Sequence, residues 1–127
     1  MTKQTVQVAG LRDSEPSGYA QCVVANDLIF VAGQLGTDSQ STLVSLEFEG
    51  QATQALRNVE AALAAAGASL SDIVTMTVFL ADSRHGKPFN ELRKTFLGGA
   101  IAASTTIGGA TFAQPGALIE IQAIAAR

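Results

Sequence analysis

The sequence contains very few of the residues from which metal centres and disulfide frameworks are built. Its 127 residues include one cysteine, Cys22, and one histidine, His85. A single cysteine forms no intramolecular disulfide, and one cysteine with one histidine is too small a set for an ordinary zinc site. Disulfide scaffolds and structural zinc proteins are therefore excluded, and we expect no metal.

Charge is also scarce and unevenly placed. Only 15% of the residues are charged, and 8 Lys and Arg against 11 Asp and Glu give a net charge of -3. No basic run could follow a phosphate backbone, so we expect no nucleic-acid partner. Between Lys94 and Arg127 the only charged side chain is Glu120. Polar residues and Pro115 interrupt that stretch too often for a membrane span, so it is interpreted as buried sheet.

The ends and the overall composition are those of one ordinary domain. The first five residues contain no apolar signal core, and we therefore expect a cytoplasmic protein without a membrane partner. Hydrophobic residues make up 47% of the chain, and no linker or repeat divides it. The prediction is a single domain over residues 1–127.

Hydrophobic periodicity predicts two helices and six strands. Apolar residues recur every three or four positions over 48–66 and Gly67 follows, while Pro88 opens a shorter helix that ends at Gly98 and Gly99. The predicted strands are 5–9, 19–25, 28–32, 73–80, 105–112 and 117–125, with a hairpin turn at Asn26 and Asp27. This order predicts an α+β fold, in which two helices cover one face of a mixed sheet.

The last predicted strand is apolar on both of its faces. Ile119 and Ile121 alternate with Leu118 and Ile124. Because two helices cover only one face, the other face needs a partner, and a closed symmetric oligomer is the simplest one. A monomer with an apolar flank is the alternative.

Glu120 is the first candidate for a catalytic residue. Burial between Ile119 and Ile121 should raise its pKa, which suits a general base or a group that holds water, although a structural carboxylate is an equal alternative. Tyr19 either donates a hydrogen bond to a ligand or packs against neighbouring residues without a functional role. Gly33 either offers a backbone amide at close approach or forms a turn.

The other reactive side chains have weaker patterns. Cys22 lies in a strand pattern and is interpreted as a small core residue, and His85 as a solvated loop residue. Ser104 and Thr106 place hydroxyls near a strand start, but no Gly-x-Ser-x-Gly elbow surrounds them. A serine hydrolase is therefore disfavoured.

Several segments in this order resemble the Rid family, also called YjgF-type. They are Gly18-Tyr19-Ala20-Gln21, Val31-Ala32-Gly33-Gln34, residues 51–58 with Leu63, Ala66 and Gly67, Asp72-Ile73-Val74, residues 77–80, Phe89-Asn90, and residues 119–125. The resemblance covers nearly the whole chain. It implies a chorismate-mutase-like fold of six strands and two helices, and a homotrimer with ligand clefts between its subunits.

The resemblance also implies an activity and a set of residues. Archetypal members look like cofactor-free deaminases that hydrolyse enamine and imine acids to keto acids and ammonia. Tyr19, Gly33, Asn90 and Glu120 match family site positions, and Glu120 corresponds to the glutamate that places or activates water. We therefore expect no cofactor and a small carbonyl, enamine or imine metabolite as the ligand.

The sequence departs from the family pattern at the arginine that clamps the substrate carboxylate. Ser104 or its neighbour stands at that position, Ala32 replaces a serine, and Thr106 replaces a frequent cysteine. A desolvated guanidinium–carboxylate pair contributes on the order of 2 to 5 kcal/mol, so its loss should weaken an acidic substrate.

Three arginines, Arg84, Arg93 and Arg127, are candidates to replace the missing one.

The leading hypothesis is a divergent Rid-family trimer in which Glu120 positions water. The residues expected to contact the ligand are Tyr19, Gly33, Asn90, Ser104 and Thr106. A non-catalytic, ligand-binding or regulatory trimer is the alternative. Ribonuclease activity, which the resemblance also includes, fits poorly with the acidic composition.

Overall fold

The structure, a computed structural model, describes residues 2–127 and contains one six-stranded mixed sheet. The strands are β1 (Lys3–Thr5), β2 (Cys22–Ala25), β3 (Leu28–Leu35), β4 (Ile73–Leu80), β5 (Ala103–Ile107) and β6 (Ile119–Ala126). Their order in the sheet is β1-β2-β3-β6-β4-β5, and every neighbouring pair is antiparallel except β4 and β5. Two helices, α1 (Phe48–Ala65) and α2 (Gly86–Phe96), complete the predicted α+β fold.

Some element boundaries differ from the prediction for local reasons. The first strand is Lys3–Thr5 and not 5–9, because its pairing with β2 ends soon after the bond from Val6 N to Cys22 O. Strand β3 passes through Gly33, which lies in a bulge between Val31 and Gln34 and does not end the strand. Strand β5 ends at Ile107, where Gly108 and Gly109 follow, and not at residue 112.

The core lies between α1 and one face of the sheet. Small residues of α1, such as Ala52 and Ala55, are fully buried and let the helix lie close to β3 and β6. One polar side chain of the same helix, Gln51, is also fully buried. Its amide nitrogen donates to the carbonyl oxygens of Ser45 and Gly116, and its amide oxygen accepts from Leu118 N. Gln51 thereby fixes the segment that leads into β6 and Glu120.

The face of the sheet opposite the helices carries an apolar band that nothing in residues 2–127 covers fully. We call it the open face and define it by Leu28, Phe30, Phe79, Ile107 and Ile124. The register places Phe30 beside Ile124 and Phe79 beside Glu120. Leu28, Phe30 and Ile107 are 41%, 38% and 43% exposed. The open face is therefore the surface through which we expect copies of the chain to associate.

We expect Phe30→Asp to prevent assembly of the predicted oligomer. A carboxylate in the middle of an apolar contact loses the burial of the ring and must be desolvated, which should raise the dissociation constant by more than about a thousandfold. Sedimentation velocity of the wild type and the variant measures this change. Leu46→Asp is the control, since Leu46 is 84% exposed but lies outside the sheet. A wild-type chain of monomer mass would contradict the prediction, and so would an assembled Phe30→Asp variant.

Candidate functional site

Glu120 projects from β6 on the same side of the sheet as the open face. It is paired with Leu35 on β3 and with Phe79 on β4. Its carboxylate lies against Gly33, where a Cβ atom would come within 2.7 Å of Glu120 Cδ. Gly33 is therefore required at this point because only glycine leaves room for the Glu120 side chain. The bulge in β3 brings the glycine backbone to this position.

A cavity of about 490 Å³ opens beside this carboxylate, and we call it the Glu120 cavity. Of the residues that the sequence predicts for the site, Tyr19, Gly33 and Glu120 line it together. Arg12 and Gln21 also line it, from the segment that precedes β2. The size is that of a pocket for a small metabolite. One half of the predicted ligand site is thus assembled within a single chain.

The carboxylate of Glu120 is half-buried, and burial raises its pKa above the ordinary value of a glutamate. Within residues 2–127 no side-chain hydrogen bond or ion pair compensates the lost water. The charged form is therefore disfavoured relative to an exposed glutamate, and the group is a stronger base than a solvated one. This environment is the one expected of a general base.

Tyr19 is oriented by a residue that the sequence did not point to. Its hydroxyl oxygen accepts a hydrogen bond of 2.8 Å from Arg12 Nη2, and the Arg12 guanidinium lies 5.8 Å from the centre of the Tyr19 ring. A short 3-10 turn, Glu15–Ser17, separates the two residues. Neither periodicity nor a motif indicates such a contact, because it depends on how an irregular segment folds back.

The other predicted ligand residues form a second group around Arg93. Arg93 Nη1 donates to Ser104 Oγ over 2.6 Å, and Arg93 Nη2 donates to Asn90 Oδ1 over 2.8 Å. All three residues line a cavity of about 320 Å³ between α2 and β5, which we call the Arg93 cavity. Thr106 lies on β5 close by, exposed, but lines neither cavity. Of the three arginines left open by the sequence, Arg93 is the one beside Ser104.

The two groups lie on opposite faces of the sheet. Ser104 is paired with Met76, and Thr106 with Val78, and both partners point into the core beneath the helices. Glu120 is paired with Phe79, whose side chain points the other way. One copy of the chain therefore does not bring Ser104 and Glu120 to the same ligand.

The remaining candidates are engaged elsewhere. Arg84 forms an ion pair with Asp82 that holds the pKa of that carboxyl at about 2, and Arg127 donates to the carbonyl oxygen of Ala66. Cys22 is fully buried, and desolvation raises the pKa of its thiol, which disfavours a nucleophilic thiolate. The expectation of a solvated His85 is wrong: its ring stacks on Phe48 at 4.1 Å between centroids.

Over 2–127 there is no group of three His, Cys, Asp or Glu side chains that could hold a metal ion. Within the same residues, no helix combines the length and the apolar composition needed to cross a membrane.

Gly33→Ala should separate the position of Glu120 from the stability of the fold. The new methyl group would meet the flexible end of the Glu120 side chain, which can rotate away, so we expect folding to persist while the carboxylate leaves its place. On the sequence prediction that Glu120 is catalytic, such a displacement should cost about a hundredfold in kcat/KM for the hydrolysis of an imine acid. Gly86→Ala is the control, because no atom lies within 4 Å of a Cβ there. Unchanged kinetics in Gly33→Ala would contradict a role for this contact.

A six-stranded mixed sheet with two helices on one face defines a class of small α+β proteins with the chorismate-mutase-like fold, and here a ligand-sized cavity lies beside a half-buried carboxylate. Residues 13–127 match the family model described as endoribonuclease L-PSP. The chain belongs to this family, which includes the Rid or YjgF-type proteins that its sequence resembles.

Three relatives show the extent of the similarity. The 2-iminobutanoate/2-iminopropanoate deaminase of Rattus norvegicus is 38% identical over 108 residues, which cover 84% of this chain and 78% of the relative. The crystal structure of yeast Mmf1 has a TM-score of 0.91 at 26% identity and covers 99% of both chains. The structure of E. coli TdcF with bound serine has a TM-score of 0.88 at 27% identity and covers 98% of both chains.

Proposed function

We propose that this protein hydrolyses small 2-imino acids, and their enamine tautomers, to 2-keto acids and ammonia. The observation that carries the proposal is the Glu120 carboxylate, half-buried against Gly33 at the wall of a metabolite-sized cavity. The name of the rat relative, an iminobutanoate and iminopropanoate deaminase, supports the choice of substrate class. The bound serine in E. coli TdcF supports a small amino-acid-like ligand.

The reaction requires a water molecule and a group that moves one proton. Glu120 accepts a proton from water while the water oxygen bonds to the carbon of the protonated imine, and the electron pair of the C=N double bond moves to the nitrogen. Glu120 then returns its proton to the nitrogen of the resulting carbinolamine. The C–N bond breaks, ammonia leaves, and the hydroxyl proton passes to solvent as the C=O double bond of the keto acid forms. The raised pKa of Glu120 suits both steps, because the carboxylate is basic enough to accept the proton and the acid strong enough to return it.

Tyr19 and Gly33 are proposed as the ligand contacts beside Glu120. The Tyr19 hydroxyl accepts its hydrogen bond from Arg12, so its own proton is free to point at a ligand oxygen or nitrogen. Gly33 lets a ligand approach the backbone closely, since it has no side chain of its own.

The complete site is proposed to lie between copies of the chain. Asn90, Ser104 and Thr106 belong to the opposite face of the sheet from Glu120, so a second copy has to supply one of the two groups. Two different surfaces then meet, and such a contact closes into a ring when the rotation allows it. We propose a homotrimer as that ring, with one single-domain chain (residues 1–127) per subunit. A cytoplasmic location stays a prediction.

A non-catalytic binding protein is the second candidate. The observation that favours it is the absence of a hydroxyl before Gly33, where Ala32 stands. The cavity would then bind the same class of metabolite without turnover. Ligand-dependent thermal stabilisation without release of ammonia separates this function from the first.

The direct experiment measures ammonia release from imino acids that an L-amino-acid oxidase generates in solution. We expect the protein to accelerate the conversion of 2-iminobutanoate and 2-iminopropanoate above the spontaneous rate. Absence of acceleration, together with thermal stabilisation by 2-oxobutanoate, would assign the binding function instead. RNA cleavage that is sensitive to salt would support a nuclease, against the acidic composition of the chain.

A further inference from the structure

The guanidinium of Arg93 occupies the space beside Ser104, although it comes from a helix and not from strand β5. It reaches across from α2, and both of its terminal nitrogens donate to neutral side chains, Ser104 and Asn90. We propose that Arg93 binds the anionic group of the ligand and so selects acidic substrates. The inference deepens the proposed function and rests on it for the identity of the ligand.

The first argument is the absence of an acidic partner. Within residues 2–127 no carboxylate lies at ion-pair distance from Arg93, while the group is partly removed from water. Its hydrogen bonds go to the Ser104 hydroxyl, the Asn90 amide and the Met76 sulfur. These neutral partners leave further N–H donors of the guanidinium unused and do not neutralise its positive charge. A charge held in this way attracts an anion more strongly than a solvated one.

The second argument is the shape and lining of the Arg93 cavity. Met76, Leu97 and Ile101 give it apolar walls, and Lys94 adds a second cation. Apolar walls lower the local dielectric and strengthen the attraction between the guanidinium and an anion. A volume of about 320 Å³ admits a small carboxylic acid.

The third argument is that the neighbours of Arg93 hold it in place. Asn90 lies one turn earlier on α2, Ser104 faces it from β5, and the Phe89 ring lies 5.1 Å from the guanidinium carbon. The short side chain of Ser104 leaves the room that a longer residue on β5 would fill. Asn90 and Ser104 are then positioning residues for Arg93 as well as neighbours of the ligand.

The binding of 2-oxobutanoate, the keto acid product, tests the proposal without turnover. Titration calorimetry compares it with the neutral 2-oxobutanamide on the wild type, Arg93→Gln and Arg93→Lys. We expect Arg93→Gln to raise the Kd of the acid by about 30-fold or more and that of the amide by less than about threefold. Arg93→Lys keeps the charge but loses the fork, and it should raise the Kd of the acid about five- to tenfold.

The control is Arg57→Gln, which removes an exposed arginine of α1 and should leave both Kd values unchanged. Arg12→Gln tests the competing cation, that of the Glu120 cavity, and should leave the ratio of the two Kd values unchanged although both values can rise through the loss of its contact with Tyr19. Equal Kd values in the wild type and Arg93→Gln would overturn the proposal, as would loss of the preference in Arg12→Gln. No binding of the acid by the wild type at millimolar concentration would also overturn it.

The failure of this inference differs from the failure of the proposed function. If the protein releases no ammonia but its binding of 2-oxobutanoate depends on Arg93, the anion site stands and hydrolysis is wrong. If it releases ammonia equally fast with Arg93→Gln, hydrolysis stands and the anion site is wrong.

Discussion

Glu120→Gln should reduce the hydrolysis of 2-iminobutanoate by about a hundred- to ten-thousand-fold while the fold stays intact. A general base contributes a factor of this size, and glutamine keeps the shape of glutamate but accepts no proton from water. Gln at this position also removes a charge that burial disfavours, so we expect no loss of stability. Steady-state ammonia release, with the spontaneous rate subtracted, measures the effect.

The pH dependence gives an independent readout of the same residue. Glu120 acts as a base only when it is ionised, so activity falls as the pH drops through its pKa. Since burial raises that pKa, the fall should begin at a higher pH than the ordinary value for a glutamate, about 4.3. The other ionisable side chains that line the same cavity are those of Arg12, Tyr19 and Asp38. The residual rate of Glu120→Gln should lack this step.

Glu60→Gln is the matched control for the change at Glu120. It makes the same chemical substitution at an exposed position of α1 that lines neither cavity. Its rate and pH profile should equal those of the wild type. A Glu120→Gln variant with wild-type rates would remove Glu120 from the mechanism and leave the binding function as the better proposal.

The sequence predicted the helices and strands that have strong hydrophobic periodicity. It did not predict the features whose position depends on contacts with other parts of the fold. Strand β4 (Ile73–Leu80) and the start of α1 follow directly from β-branched and helical spacing. The place of Gly33 inside β3 could not be predicted, because a bulge depends on the partner strand β6. The early end of β5 has the same cause: it is an edge strand that pairs only with β4, over five residues.

The candidate residues follow from the sequence, but their arrangement does not. The resemblance to the Rid family indicated Tyr19, Gly33 and Glu120 among others, and these three line one cavity. The sequence left three arginines open as substitutes at Ser104, since the reach of a long side chain depends on how helix and strand pack. It gave no signal for Arg12, whose contact with Tyr19 arises from an irregular segment.

A mixture of two impaired variants should recover activity if the site is shared between copies. Chains with Glu120→Gln keep Arg93, and chains with Arg93→Gln keep Glu120, so a site formed by one chain of each kind can contain both residues. Random assembly of equal amounts into a ring gives about one intact site in four, because half of the chains supply Glu120 and half supply Arg93. Co-expressed variants should therefore show about a quarter of the wild-type rate for 2-iminobutanoate, well above the average of the two variants purified separately.

This expectation rests on the opposite faces of the sheet on which Glu120 and Ser104 lie, since no single chain can turn both residues toward one ligand. If the co-expressed mixture shows only that average, each chain forms its site alone, and Arg12 becomes the cation that faces the substrate of Glu120.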